Sequence, residues 1–245
     1  ASFGLDVNQN DFKSALKQFQ EYVIANRKCS FPTVAVVQGF SLGGGCEWML
    51  HCDRVVAAPN SYIGLVELGV GLIPAGGGSK EMAYRASISN DPEKSFSQYF
   101  QTIAQAKVSR SAYEAKLWGY LREDDVIVAN PKALLKAAKA QIETLDAAGQ
   151  NSQQFSAFKT LPESSYAQAL MAIKNMKLGG YISEYDAYLA ERLAYVMTGG
   201  ECADEYVLEN WLLQLERDVF VDLLMQAKTQ DRIKYMLKTR KPLRN

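Results

Sequence analysis

The chain has 245 residues, 48% of them hydrophobic, 22% charged and 11% aromatic, which is enough to bury one large core or two modest ones and is unlike a collagen, a disordered chain or a disulfide scaffold. Twenty-seven basic residues balance 27 acidic ones, which argues against a chain built to coat nucleic acid. A single histidine, His51, excludes His-Glu-x-x-His and three-histidine zinc sites, and it is the one base that a Ser-His or Cys-His nucleophile could use.

Residues 10–27 place Phe12, Leu16, Phe19 and Val23 at helical spacing, which predicts an amphipathic helix. Cys29, Cys46, Cys52 and Cys202 have no C-x-x-C spacing, so they read as reduced thiols rather than metal ligands or a redox pair. After Pro32, Thr33-Val34-Ala35-Val36-Val37 predicts a buried strand, and 54–57 and 62–64 are further strand candidates. Glycine clusters at Gly43-Gly44-Gly45, Gly64 to Gly71 and Gly76-Gly77-Gly78 crowd the first third, and beyond residue 80 the pattern is helical. Ser111-Ala112-Tyr113-Glu114 has the form of a capping box with Gly119 as its stop, and Asn130-Pro131 opens a helix ending near Gly149. Further helices are predicted over 164–178, 183–198 and 204–225, the last with Val207, Trp211, Leu215 and Val219 on one stripe. Thr229 is the predicted cap of a final basic helix. Residues 228–245 hold seven basic residues against one acid, leaving 20 basic and 26 acidic before them. Those cations suit a helix C-terminus and a solvated face better than a phosphate-binding tail. No apolar stretch approaches the roughly 20 residues of a membrane span and no signal-peptide pattern is present, so a cytoplasmic location is expected.

With one histidine, acid–base chemistry must fall on carboxylates, lysines, tyrosines or backbone. Residues 38–81 concentrate the candidates. A phosphate-binding P-loop fails there, because Gly77-Gly78 stand where Lys-Ser/Thr should follow Gly71 to Gly76. A dinucleotide fingerprint fails as well, because Gly69-Val70-Gly71 runs on to Pro74. What remains is a strand, a triple glycine and an apolar helix-like stretch containing Glu47. The glycines let a ligand approach the backbone, and a helix start offers N–H donors suited to an oxyanion. Glu67 lies 20 residues on, in Leu65-Val66-Glu67-Leu68-Gly69-Val70. A carboxylate in such company is a buried ion partner or a group with a raised pKa, and spacing alone leaves both readings open.

Pro32 to Gly39, Leu42-Gly43-Gly44-Gly45-Cys46-Glu47, Cys52-Asp53-Arg54, Gly64-Leu65-Val66-Glu67 and Gly71-Leu72-Ile73-Pro74-Ala75-Gly76-Gly77 resemble the crotonase (enoyl-CoA hydratase/isomerase) superfamily signature, almost continuously over 32–81. Ser2-Phe3-Gly4-Leu5-Asp6-Val7 resembles the superfamily's S-x-G-A-D-L element, with Leu5 replacing alanine. Residues 129–245, through Gly180-Tyr181-Ile182-Ser183-Glu184-Tyr185-Asp186 and Lys241-Pro242-Leu243-Arg244-Asn245, resemble the helical extension of bacterial fusions in which a 3-hydroxyacyl-CoA dehydrogenase precedes a crotonase domain.

The resemblance implies an α/β fold: a partial crotonase-type β-β-α spiral core lacking its early strands, followed by a mostly α-helical C-terminal region. It divides the chain into a partial core at 1–90, a helical part of the crotonase domain at 91–150 and a helical extension at 151–245. The chain is then expected to be the C-terminal part of a longer polypeptide. The implied activity is enoyl-CoA hydration in fatty-acid β-oxidation. Glu47 and Glu67 are the catalytic acids, the amides of Leu5 and Gly44 form the oxyanion hole, and Ala75, Gly43 and Gly64 bind water or substrate. Isomerase chemistry, or an inactive interaction or oligomerisation module, are the alternatives. The expected partner is an acyl-CoA thioester substrate, with no nucleic acid and no membrane span. Crotonases are commonly trimeric while fused forms differ, so homo-oligomerisation is left open. The fragment needs no cofactor of its own, and NAD is expected only in a separate dehydrogenase domain. His51 and Cys46 read as packed core residues, and Trp48, Trp118 and Trp211 as packing.

Overall fold

Two successive stretches of the chain each lay down a β-branched strand, a short second strand and a helical turn reached through glycine. In the computed structural model, which describes residues 9–149, 157–201 and 205–245, this repetition becomes a parallel spiral. Strand β1 (Val34–Val37) pairs with β3 (Arg54–Ala57) in register Val34↔Arg54, and β2 (Phe40–Leu42) pairs with β4 (Tyr62–Gly64) in register Phe40↔Tyr62. Parallel neighbours need a crossover. Helix α2 (Gly44–Leu50) belongs to the first, and a 3-10 turn at Glu67–Val70 closes the second circuit. Both glutamates singled out from the sequence therefore sit where the spiral turns. Strand β5 (Val126–Ile127) extends the first sheet to the order β1-β3-β5.

Carboxylates pin the spiral. Asp53 Oδ2 accepts from the Thr33 amide at 2.7 Å and its hydroxyl at 2.9 Å, and Asp125 accepts from the amides of Val55 at 2.7 Å and Arg122 at 2.6 Å.

Helices wrap this core. α1 (Gln9–Lys28) precedes it; α3 (Gly78–Ser87), α4 (Pro92–Ala104), α5 (Ala112–Leu117) and α6 (Leu134–Ala147) follow. Beyond them come β6 (Ala157–Lys159), α7 (Glu163–Leu178), α8 (Glu184–Met197), β7 (Tyr206–Leu208), α9 (Glu209–Leu224) and α10 (Ala227–Thr239). One apolar cluster joins Cys46, Leu50 and Ile63 of the spiral to Met82, Phe100, Leu193, Leu212 and Leu223 of the helices. The result is a mixed α/β fold, mostly helical, around a partial spiral core. Among the described residues no helix is long and apolar enough to cross a membrane.

The helix starts depart from the sequence expectations at three places. At Ser111 only half of a capping box forms: Ser111 accepts from the Glu114 amide, but the Glu114 carboxylate turns to the Arg110 amide. The helix expected over 204–225 begins at Glu209, because 206–208 form a strand antiparallel to β6. There Val207 is buried between exposed Tyr206 and Leu208, a period of two, so it leaves the predicted helical stripe. Thr229 lies inside α10, whose N-cap is Gln226, and the Thr229 hydroxyl is used for a tertiary bond instead.

Beneath the apolar cluster lies a buried charge knot. Glu81 meets Arg27, Arg85 at 3.0 Å and Lys80 at 3.5 Å, while Lys80 also reaches Glu209 at 2.9 Å. Burial alone would push the Glu81 carboxyl up, but the charges of Arg27, Lys80 and Arg85 hold it well below the usual carboxylate range. Glu81→Gln would take a counter-charge from Arg27, Lys80 and Arg85, and it is expected to cost about 3–5 kcal/mol of stability, read from the midpoint of urea unfolding.

Candidate active site

Gly43 sets the site's geometry. Its φ of 54° is left-handed, its amide donates to the Gly64 carbonyl at 2.9 Å, and a Cβ there would lie 3.1 Å from Glu67 Oε1. Only glycine satisfies both the backbone and the approach of that carboxyl group. Gly44 then opens α2, so its amide has no acceptor within the helix.

One turn into α2, Glu47 is buried with its carboxylate against the start of α3. Its Oε1 accepts from the amides of Gly76 at 2.7 Å and Gly78 at 2.9 Å. A Cβ on either glycine would stand 2.7 Å from a Glu47 oxygen, which explains the glycines flanking Gly77. Glu67 opens the 3-10 turn, and its Oε2 is buried with no hydrogen-bond partner. That turn ends at Gly71, whose carbonyl accepts from the Thr229 hydroxyl of α10 at 2.6 Å. Thr229 has one proton to give, so Tyr185 donates to Thr229 across their 2.6 Å contact.

Residues 4–171 match the family model described as Enoyl-CoA hydratase/isomerase. The chain belongs to this family. It is 41% identical over 242 residues to a Bacillus subtilis (strain 168) protein named Probable 3-hydroxyacyl-CoA dehydrogenase, a match covering 98% of this chain and 31% of that protein. It therefore spans about a third of that relative's length. A shorter match, 45% identical over 51 residues, covers 21% of the chain and 20% of the 2,3-dehydroadipyl-CoA hydratase of Escherichia coli (strain K12). The crystal structure of an enoyl-CoA hydratase from Bacillus halodurans superposes with a TM-score of 0.55 at 18% identity, over 93% of this chain and 74% of that one, a likeness of fold.

Within this hydratase/isomerase domain the other expected site residues are distributed unevenly. Leu5 lies outside the described residues. Ala75 is buried, and its carbonyl accepts from Gln20 Nε2 at 2.7 Å. Gly64 has a packing reason to be glycine, since a Cβ would meet the Lys107 carbonyl oxygen at 2.5 Å. The space beside Gly44 is taken by Phe19 of α1, whose Cζ lies 3.2 Å from where a Gly44 Cβ would stand and whose Cε1 lies 2.2 Å from the equivalent point on Gly76. Sequence periodicity marked Phe19 only as part of an apolar stripe; that its ring reaches the glutamate pair depends on how α1 crosses the spiral.

His51 closes α2 and is buried. Its Nε2 lies 3.0 Å from Lys80 Nζ and its Nδ1 2.7 Å from the Glu47 carbonyl oxygen. An ammonium group only donates, so Nε2 accepts and Nδ1 carries the proton given to Glu47. Burial, and then the charge of Lys80, hold His51 well below its ordinary pKa, so it is a neutral strut for the Glu47 helix. Burial likewise pushes the Cys46 thiol up, which makes it a poor nucleophile.

The two glutamates are poised differently. Burial pushes Glu47 up to about 7 although the Gly78 and Gly76 amides pull the other way. Burial, and then the charge of Glu47, push Glu67 up to about 8. Burial raises both and the charge of Glu47 raises Glu67 further, so the two titrate as a coupled pair in which Glu67 is the more readily protonated.

The raised acids have a consequence for stability. An ordinary glutamate titrates near 4.5, so between that value and about 8 the folded chain keeps a proton on Glu67 that the unfolded chain has lost. Rising pH in that window therefore destabilises the fold through this group. Glu67→Gln removes the effect. The stability difference between variant and wild type is expected to shift in the variant's favour between about pH 5 and about pH 9, measured by urea unfolding at each pH. A difference that does not change with pH would show that Glu67 titrates alike in both states.

Proposed function

We propose that the chain carries an enoyl-CoA hydratase, adding water syn across the double bond of a trans-2-enoyl-CoA to give the 3-hydroxyacyl-CoA. The observation that supports this most is the opposed pair: Glu47, whose Oε1 accepts from the Gly76 and Gly78 amides at the turn into α3, and Glu67, with one buried, unpartnered oxygen. Hydration needs one group that takes a proton from water and one that gives a proton to carbon. In this reading Glu47 takes the proton as the water oxygen bonds to the β carbon, and Glu67 delivers its own to the α carbon. Negative charge gathers meanwhile on the thioester oxygen. The amides of Gly44 and Leu5 are assigned to that oxyanion, where one such donor is worth about 10²–10³ in rate. The Ala75 amide, with Gly43 and Gly64 shaping the backbone, is assigned to the water. A thioester reaching Gly44 meets the Phe19 ring, which must swing aside or form the wall of the acyl site.

The wider assignment is fatty-acid β-oxidation in the cytoplasm, with the chain working inside a longer polypeptide. The B. subtilis relative's name and the third of its length that the chain spans support the longer polypeptide. In such a fusion an NAD-dependent 3-hydroxyacyl-CoA dehydrogenase would oxidise the hydratase's product. Nicotinamide binding would then belong to the other part, while coenzyme A enters and leaves as part of the substrate.

Loss of the enoyl-thioester absorbance on adding crotonyl-CoA tests the reaction. Glu47→Gln and Glu67→Gln are each expected to lower turnover by about 10²–10⁴-fold. Unchanged turnover in either variant removes that glutamate from the chemistry. Isomerisation of a 3-enoyl-CoA without hydration would assign an isomerase, and activity confined to a longer parent chain would leave this piece a structural module.

A further inference from the structure

We propose that Glu216, on α9 of the C-terminal helical region, is a positioning residue of the glutamate site: it holds the turn that holds Glu47 and is a third ionisable carboxyl beside the Glu47–Glu67 pair. The proposal rests on reading that pair as the reaction's base and acid.

The start of α3 presents a run of backbone amides, and two carboxylates from different helices divide them. Glu47 takes those of Gly76 and Gly78 at 2.7 and 2.9 Å. Glu216 takes the ones between and beyond, Gly77 at 2.9 Å with Oε2 and Lys80 at 2.6 Å with Oε1. Gln20 Nε2 of α1 gives its two protons to the carbonyls of Ala75 at 2.7 Å and Leu213 at 3.0 Å, and it lies 3.2 Å from Glu216 Oε2. Arg217 in turn fixes the Gln20 amide oxygen. Two backbone N–H donors reach Glu216, one at each oxygen, so both oxygens accept and a glutamine would set its own N–H against one of those amides.

A fully buried carboxylate is a costly helix cap, since serine or asparagine could satisfy two amides without desolvating a charge. What a carboxyl adds is coupling: wherever it is ionised, it disfavours ionisation of the other two acids. Facing it are Glu47 from α2, Glu67 from the 3-10 turn and Lys80 from α3; α1 contributes only neutral Gln20, and Arg217 of α9 acts through Gln20. The Lys80 ammonium is turned toward His51 and Glu209, at 3.0 and 2.9 Å, and only its amide serves Glu216. Burial, then the charge of Glu47, push Glu216 up to about 8, and Glu216 is among the charges that raise Glu67. Glu216 thus titrates in the same range as Glu67, so that ionisation of either opposes ionisation of the other, while its two acceptor oxygens fix the turn that presents the Gly76 and Gly78 amides to Glu47.

The test uses the full chain with glutamate side chains labelled with ¹³C, in wild type, Glu216→Gln and Glu216→Asp. The carboxyl resonances of Glu47 and Glu67 are titrated by NMR, and the pH profile of crotonyl-CoA hydration is recorded in parallel. Glu216→Gln is expected to lower the Glu67 midpoint and to move the alkaline limb of kcat the same way. Glu216→Asp keeps the charge on a shorter arm; its Glu67 midpoint should stay near the wild-type value while kcat falls about tenfold or more and KM changes little. A folded Glu216→Gln chain with unmoved midpoint and pH profile overturns the proposal. Should Glu216→Gln not fold, Glu216→Asp decides, and a wild-type kcat in that variant overturns it. If wild type hydrates no crotonyl-CoA, the reading of the reaction fails while the titration still judges Glu216.

Discussion

The start of α3 is the constraint on which the rest of the site depends. A helix opens with amides that have no partner inside it, and buried amides must be satisfied from elsewhere. Here two glutamates from opposite ends of the chain meet that need, Glu47 through Gly76 and Gly78 and Glu216 through Gly77 and Lys80. The arrangement works in both directions. The carboxylates stabilise the helix end, and the helix end fixes where the carboxylates stand and how readily Glu47 keeps its charge.

Around that turn the C-terminal helices act on both acids. Through Glu216, α9 reaches the turn behind Glu47; through Thr229, α10 reaches Gly71 at the end of the turn bearing Glu67. Further from the pair, His51 ties the end of the Glu47 helix to Lys80, and Lys80 and Glu81 tie α3 to Arg27 of α1 and Glu209 of α9. The polar groups of this region form a continuous network in which one member's loss leaves others buried and unsatisfied. Such rigidity suits a reaction that needs two carboxyl groups and a few amides held in fixed relation.

The basic character of the last helix is resolved in part. Of its cations, Arg232 is buried, pairing with Asp186 at 2.8 Å and bonding Asn245 at 2.9 Å, and it packs over the Tyr185 ring. That places one member of the charge run in the structure that supports Thr229. Lys234, Lys238, Arg240 and Lys241 are not buried, as a solvated helix end would have them.

Much of the fold was legible because its signals are local. The Val55-Val56 pair wrote the strand at 54–57, Asn130 and Ser183 wrote helix starts, and Gly149 and the glycine pair at 199 and 200 wrote stops. The candidate acids were legible too, because a glutamate among apolar neighbours beside glycine clusters stands out by type. The β6–β7 pairing was not, because Phe158 and Val207 are brought opposite each other only by the fold and each strand is three residues long. Glu216 was invisible for the same reason: it reads as one polar residue on a long helix, and its partners Gly77 and Lys80 lie 139 and 136 residues away. By itself the sequence determined that acid–base chemistry could fall on carboxylates, lysines, tyrosines or backbone, because it holds a single histidine, and its family resemblance singled out two glutamates. Only the tertiary structure decided which glutamate keeps its proton, because that depends on burial and on amides and charges that distant helices deliver.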